Sequence, residues 1–134
     1  MHKSLSGDLL TLQRTIHKEL EDANRARIDG NEGRARVCAR RAAGWAVSFT
    51  RSVNEKRKIE ANAYEMLQWL SQQADAPDAV RSAATRLTAH VSLDHTLPFP
   101  EDPLEDARMI VEALLGVSWT EMGKVQGSGN SALT

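Results

Sequence analysis

An all-α fold of about five helices, most of them antiparallel in a bundle, is the class this sequence predicts. Three observations predict it. Apolar residues recur at spacings of three and four in five successive runs, the period that puts them on one helix face. No run alternates apolar and polar between hairpin dipeptides, and Asp29-Gly30 falls between two helical patterns. Glycine and proline sit between the runs: Gly30 and Gly33, then Pro77, then Pro98 and Pro100. The 134 residues fit one domain, expected over residues 1–122, with 123–134 as a flexible Gly/Ser-containing tail.

The first run carries Leu9, Leu12, Ile16, Leu20 and Ala23, with Ser4 or Ser6 as the candidate cap. It stops at Gly30-Asn31-Glu32-Gly33, a turn short enough to make a helical hairpin with the next run. That second helix is expected from about Glu32 to Thr50. Its stripe is Ala35, Cys38, Ala39, Ala42, Ala46 and Phe49, small residues that let helix axes approach closely. The third run is Ile59, Ala63, Met66, Leu67 and Leu70. A single helix over 32–73 would be about 60 Å long, too long for a small domain to cover, so a break is expected at Ser52-Val53-Asn54 with Asn54 as cap. Asp75-Ala76-Pro77-Asp78 opens a fourth helix with Val80, Ala83, Ala84, Leu87 and Val91. Leu97-Pro98-Phe99-Pro100 is extended. Asp102-Pro103-Leu104-Glu105 then opens the fifth with Asp at N-cap, Pro at N1 and Glu at N3, and Gly116 ends it. Leu12, Ile16, Leu20, Ala42, Phe49, Ile59, Leu70, Leu87, Val111 and Leu114 form the expected core.

Composition narrows function. Hydrophobic residues make up 41% and charged residues 26%, ordinary for a globular chain, and the formal charge of −1 argues against a polyanion binder by net charge. No apolar run approaches a membrane span, and the first residues lack an apolar leader, so a cytoplasmic setting is expected. The single Cys38 forms no internal disulfide and reads as a small buried hydrophobe. No nucleotide loop, dinucleotide fingerprint or nucleophile elbow is present, and no cofactor or metal is implied.

The charge is unevenly spread. Residues 24–58 hold ten basic side chains against three acids, a net +7; residues 93–121 hold seven acids against Arg108, a net −6. Three explanations compete: a solvated arginine face, pairing between the basic and acidic segments, and phosphate or nucleic-acid binding. Arg34, Arg36, Arg40, Arg41 and Arg51 are the candidate binding residues, with Arg36, Arg40 and Arg51 placed opposite the apolar stripe. No interleaved aromatic supports base stacking, so nucleic acid is possible but not favoured, and part of the face is expected to meet Glu or Asp. His90 and His95 flank Asp94 near the end of the fourth helix without the spacing of a metal site. Apolar flanks at Trp45 and Trp69 point to a homodimer.

The segment Ala26-Arg27-Ile28-Asp29-Gly30-Asn31-Glu32-Gly33-Arg34-Ala35, followed by Ala39, Ala42 and Ala46, resembles the opening hairpin of HEPN-type domains. Leu97-Pro98-Phe99-Pro100 leading into Asp106-Ala107 is similar to the family's C-terminal part, so the resemblance covers about residues 9–50 and 95–116. It implies a helical bundle that often dimerises, in a family of toxin-system ribonucleases and noncatalytic nucleotide- or partner-binding members. Catalytic members carry an Arg followed, after four to six residues, by His. Here Arg86 and His90 have three residues between them, and Arg81 to His90 or Arg86 to His95 has eight. Arg86, His90 and His95 are therefore the catalytic candidates of a metal-independent ribonuclease that departs from the motif. The leading expectation is a noncatalytic HEPN-like bundle acting through protein or nucleotide contacts. A small helical adaptor unrelated to HEPN is the third reading.

Overall fold

The computed structural model describes residues 5–56, 58–59, 62–89 and 99–116. They form five helices: α1 Leu5–Ile28, α2 Glu32–Glu55, α3 Ala63–Ser71, α4 Asp78–Leu87 and α5 Pro103–Leu115. With no strand among the described residues, the chain is an all-α bundle. The central helix, α2, packs against α1, α3 and α5, and α4 lies against α3 and α5.

The turn after α1 has a specific chemistry. The Asn31 N–H donates to the Ala26 carbonyl and the Gly30 N–H to the Arg27 carbonyl, at 2.8 and 2.9 Å. This is the Schellman arrangement, and it needs a left-handed residue, supplied by Gly30 at φ +81°. Asn31 then caps α2, its side-chain oxygen accepting from the Arg34 N–H at 3.0 Å. Arg27 pairs with Glu32 beside the turn and Arg41 with Glu19 further along, the pairing order of an antiparallel hairpin. On the N-terminal side, α1 runs through Ser6, and Ser4 lies outside the described residues.

The α2–α3 boundary differs from the expected one. Helix α2 continues through Asn54 to Glu55 and ends on Lys56, which is left-handed at φ 57°. The cap of α3 is Asn62, whose side chain accepts from the Glu65 N–H at 3.1 Å. Two asparagines eight residues apart offer the same capping chemistry, and a lysine carries no sequence signature of a left-handed stop. Another feature escaped the sequence reading. A Cβ placed on buried Gly44 would lie 2.6 Å from both Cα and Cβ of Ala63, so α2 and the start of α3 touch backbone to backbone. Position 44 admits no side chain without moving α3.

The other caps follow their residues. Pro77 occupies the N-cap of α4, and its carbonyl accepts from the Val80 and Arg81 N–H groups. Asp102 caps α5 by accepting from the Leu104 N–H at 3.1 Å, Pro103 opens the helix, and Gly116 closes it at φ 74°. Leu12, Ile16, Leu20, Ala42, Phe49, Leu70, Leu87 and Val111 are buried. Ile59 is not: it lies in the α2–α3 connection and is 41% exposed. Leu114 is half-buried, near the end of α5. Val91, His90, His95, Trp119 and the segment 123–134 lie outside the described residues. No helix among the described residues is long and apolar enough to cross a membrane.

Candidate functional site

The candidate binding arginines of α2 divide into two groups. Arg36 is only 7% exposed. Its guanidinium donates to the carbonyls of Arg86 at 2.9 Å, Ala89 at 2.8 Å and Leu87 at 3.4 Å. Arg40, one turn on, donates through Nε to the Leu87 carbonyl at 3.1 Å. The Arg86 and Leu87 carbonyls end α4 and that of Ala89 lies two residues beyond it, at the helix terminus where the dipole is negative. Two cations from α2 thus close the C-terminus of α4. Burial holds both guanidinium pKa values below their ordinary range, and at Arg36 the neighbouring Arg40 adds to the effect. The expected placement of Arg36 and Arg40 opposite the apolar stripe is corrected accordingly. The stripe faces several neighbours of a central helix, so its flanks are also interior.

Arg34 and Arg41 are exposed, and Arg41 reaches Glu19 of α1 at 2.9 Å. Arg51 pairs with Glu55 at 3.2 Å and lies over the Trp69 ring, 4.3 Å from its centroid. That stack is a cation–π contact within α2 and α3.

Arg86, the described member of the catalytic candidates, is held by α5. Its Nε and Nη2 donate to the two oxygens of Asp106 at 2.9 and 2.8 Å, and Glu101 lies 3.8 Å away. The Asp106 side chain is 4% exposed, so this two-pronged pair is largely desolvated. The Asp106 hydrogen bonds raise the Arg86 pKa above its ordinary value. Arg27 repeats the geometry, donating to both oxygens of Asp102 at 3.0 and 2.8 Å while also meeting Glu32. It ties the α1–α2 turn to the N-cap of α5. Arg27, foremost among the influences on Asp102, holds that carboxyl below the usual carboxylate range.

The basic and acidic segments therefore meet at Arg27–Asp102, while Arg86, from neither segment, takes Asp106. Sequence reasoning named Asp106 and Arg27 only within the family resemblance and gave neither a partner. The signal was limited to charge asymmetry, because partners 20 and 75 residues apart have no periodic relation. Other candidate chemistry is muted. Cys38 is buried, and burial, reinforced by nearby Glu19, pushes its thiol pKa up, away from nucleophilic thiolate. His17 lies 3.2 Å from Glu21 on α1. No three His, Cys, Asp or Glu side chains converge as a metal set among the described residues.

No family model matches the chain, and neither a curated protein nor a solved structure shows significant similarity to it.

Proposed function

We propose that this chain is a noncatalytic, HEPN-like helical bundle that acts through contacts with a protein partner or a nucleotide, in a cytoplasmic setting and as a homodimer. The supporting observation is the engagement of Arg86 by Asp106. In the ribonuclease reading Arg86 is the guanidinium that would meet charge developing on the phosphate. Turning Arg86 toward RNA would strand the Asp106 carboxylate in the interior, a costly state. Arg36 and Arg40 are likewise committed to α4 carbonyls.

Incubation with single-stranded RNA tests this reading. The expected result is no cleavage by the wild-type chain and no difference from His90→Ala. Cleavage by the wild type that His90→Ala abolishes would establish the ribonuclease reading instead. The dimer rests on apolar side chains left at the surface, among them Ile28 at 74% exposure and Tyr64 at 44%. Sedimentation at high micromolar concentration is expected to show twice the 14.8 kDa chain mass; a single-chain species alone contradicts it.

A further inference from the structure

A groove of about 270 Å³ opens where α2, α3, the α3–α4 connection and the end of α5 meet. Its apolar walls come from Val47, Leu70, Val80 and Leu114, with the Trp69 ring beside them. Spaces between bundle helices are common places for small-molecule sites, and this volume is near the lower end of the usual range of about 300–1,000 Å³.

Thr50 also lines the groove, and its hydroxyl proton is donated to the Ala46 carbonyl at 3.0 Å, which leaves the oxygen as an acceptor. One N–H of the Gln73 amide donates to the Trp69 carbonyl at 2.9 Å, which leaves the amide oxygen and the second N–H. Asp75 is exposed at the mouth and makes no ion pair among the described residues. The neighbouring cation Arg51 is already paired with Glu55. The groove thus presents the acceptor oxygens of Thr50 and Gln73 and the Asp75 carboxylate, which makes no ion pair among the described residues, over an apolar floor, with the Asn54 amide and the Trp69 indole as further polar groups. A ligand complementary to that set carries hydrogen-bond donors and positive charge at one end and hydrocarbon at the other.

We propose that this groove binds a small amphipathic amine, its aliphatic or aromatic body against Val47, Leu70, Val80 and Leu114 and its ammonium at Asp75, beside the acceptor oxygens of Gln73 and Thr50. The binding is non-covalent and independent of any nuclease activity, so the RNA experiment does not decide it.

Three probes of one shape test the proposal: phenethylamine, which is cationic at neutral pH, uncharged phenethyl alcohol, and anionic hydrocinnamate. Each is titrated into the full chain to about 10 mM, where even a millimolar complex is mostly formed, and followed by proton–nitrogen correlation spectra. The amine is expected to shift the Leu70, Gln73 and Val80 amides and the Trp69 indole. It is expected to bind about tenfold or more tighter than the alcohol, as a charged hydrogen bond provides, with the carboxylate weakest. Asp75→Asn, at an exposed position, is expected to lower amine affinity about tenfold and leave the alcohol unchanged. Absence of shifts with the amine, shifts confined to another surface, equal binding of amine and alcohol, or an Asp75→Asn variant that binds the amine undiminished would each overturn it.

Discussion

The α1–α2 hairpin and the α3–α5 half of the molecule reach close packing by different means. In the hairpin, two 24-residue helices joined by a short turn bury alanines such as Ala23, Ala26, Ala39 and Ala42. Local chemistry suffices there: one Schellman turn, one asparagine cap and small side chains. Helices α3, α4 and α5 are 9, 10 and 13 residues long and follow longer connections. Short helices are marginal alone, and here arginines fasten two of them: Arg36 and Arg40 at the end of α4, Arg86 between α4 and α5, and Arg27 at the start of α5. Small residues let helices approach anywhere along a face, whereas a guanidinium fixes one helix end against another at a single register.

The largest effect is expected at the polar fastener with the most buried partner. Arg86→Ala leaves the Asp106 carboxylate without its guanidinium and is expected to cost about 3 kcal/mol in urea unfolding, the lower end of the range for broken buried pairs because Arg86 is one-fifth exposed. Replacing both members by apolar residues, Arg86→Met with Asp106→Leu, is expected to recover most of that loss. If the single and double variants are equally unstable, the pair is not the fastener.

Next comes the contact between the two halves. Gly44→Ala places a methyl 2.6 Å from the Ala63 backbone and is expected to cost about 1–3 kcal/mol as overpacking. Gly33→Ala, in the same helix, meets nothing closer than the Asn31 side-chain oxygen at 3.8 Å and is expected to gain about 0.5–1 kcal/mol from propensity. Thermal unfolding of the two variants separates a steric role from a propensity effect by opposite signs.

The smallest of these effects is pH-dependent. Arg27 depresses the Asp102 pKa, so between the ordinary carboxylate value, about 3.9, and the depressed one the unfolded chain binds more protons than the folded chain. The stabilisation is present above that window and is lost as pH falls through it. Solvent exposure of about a third on both partners limits it to under about 1 kcal/mol. Unfolding free energies of wild type and Asp102→Asn are expected to converge as pH drops below about 4; a constant gap places the stabilisation elsewhere.

The same contrast explains what the sequence disclosed. Periodicity identified all five helices, and the Asp102-Pro103 start and the Gly30 and Gly116 stops are chemistry confined to a few consecutive residues. The end of α2 was not legible, because Lys56 adopts its left-handed conformation without a glycine and Asn54 mimics the cap that Asn62 provides. Nor was the fate of Arg36. A helical wheel places a residue relative to its own stripe, and only the packing of α4 decides that the flank meets carbonyls instead of water. Gly44 looked like any helical glycine until Ala63 was set against it.

Buried Arg36 and half-buried Arg40 are proposed to serve the fold and not a polyanion. Unfolding free energy and affinity for single-stranded RNA, both measured at about 150 mM salt on Arg36→Ala/Arg40→Ala, test it most directly. The expected result is a loss of at least about 2 kcal/mol of stability, from charged hydrogen bonds removed at the end of α4, and no submicromolar RNA binding by either protein. Unchanged stability together with submicromolar wild-type binding that the double variant loses would contradict it.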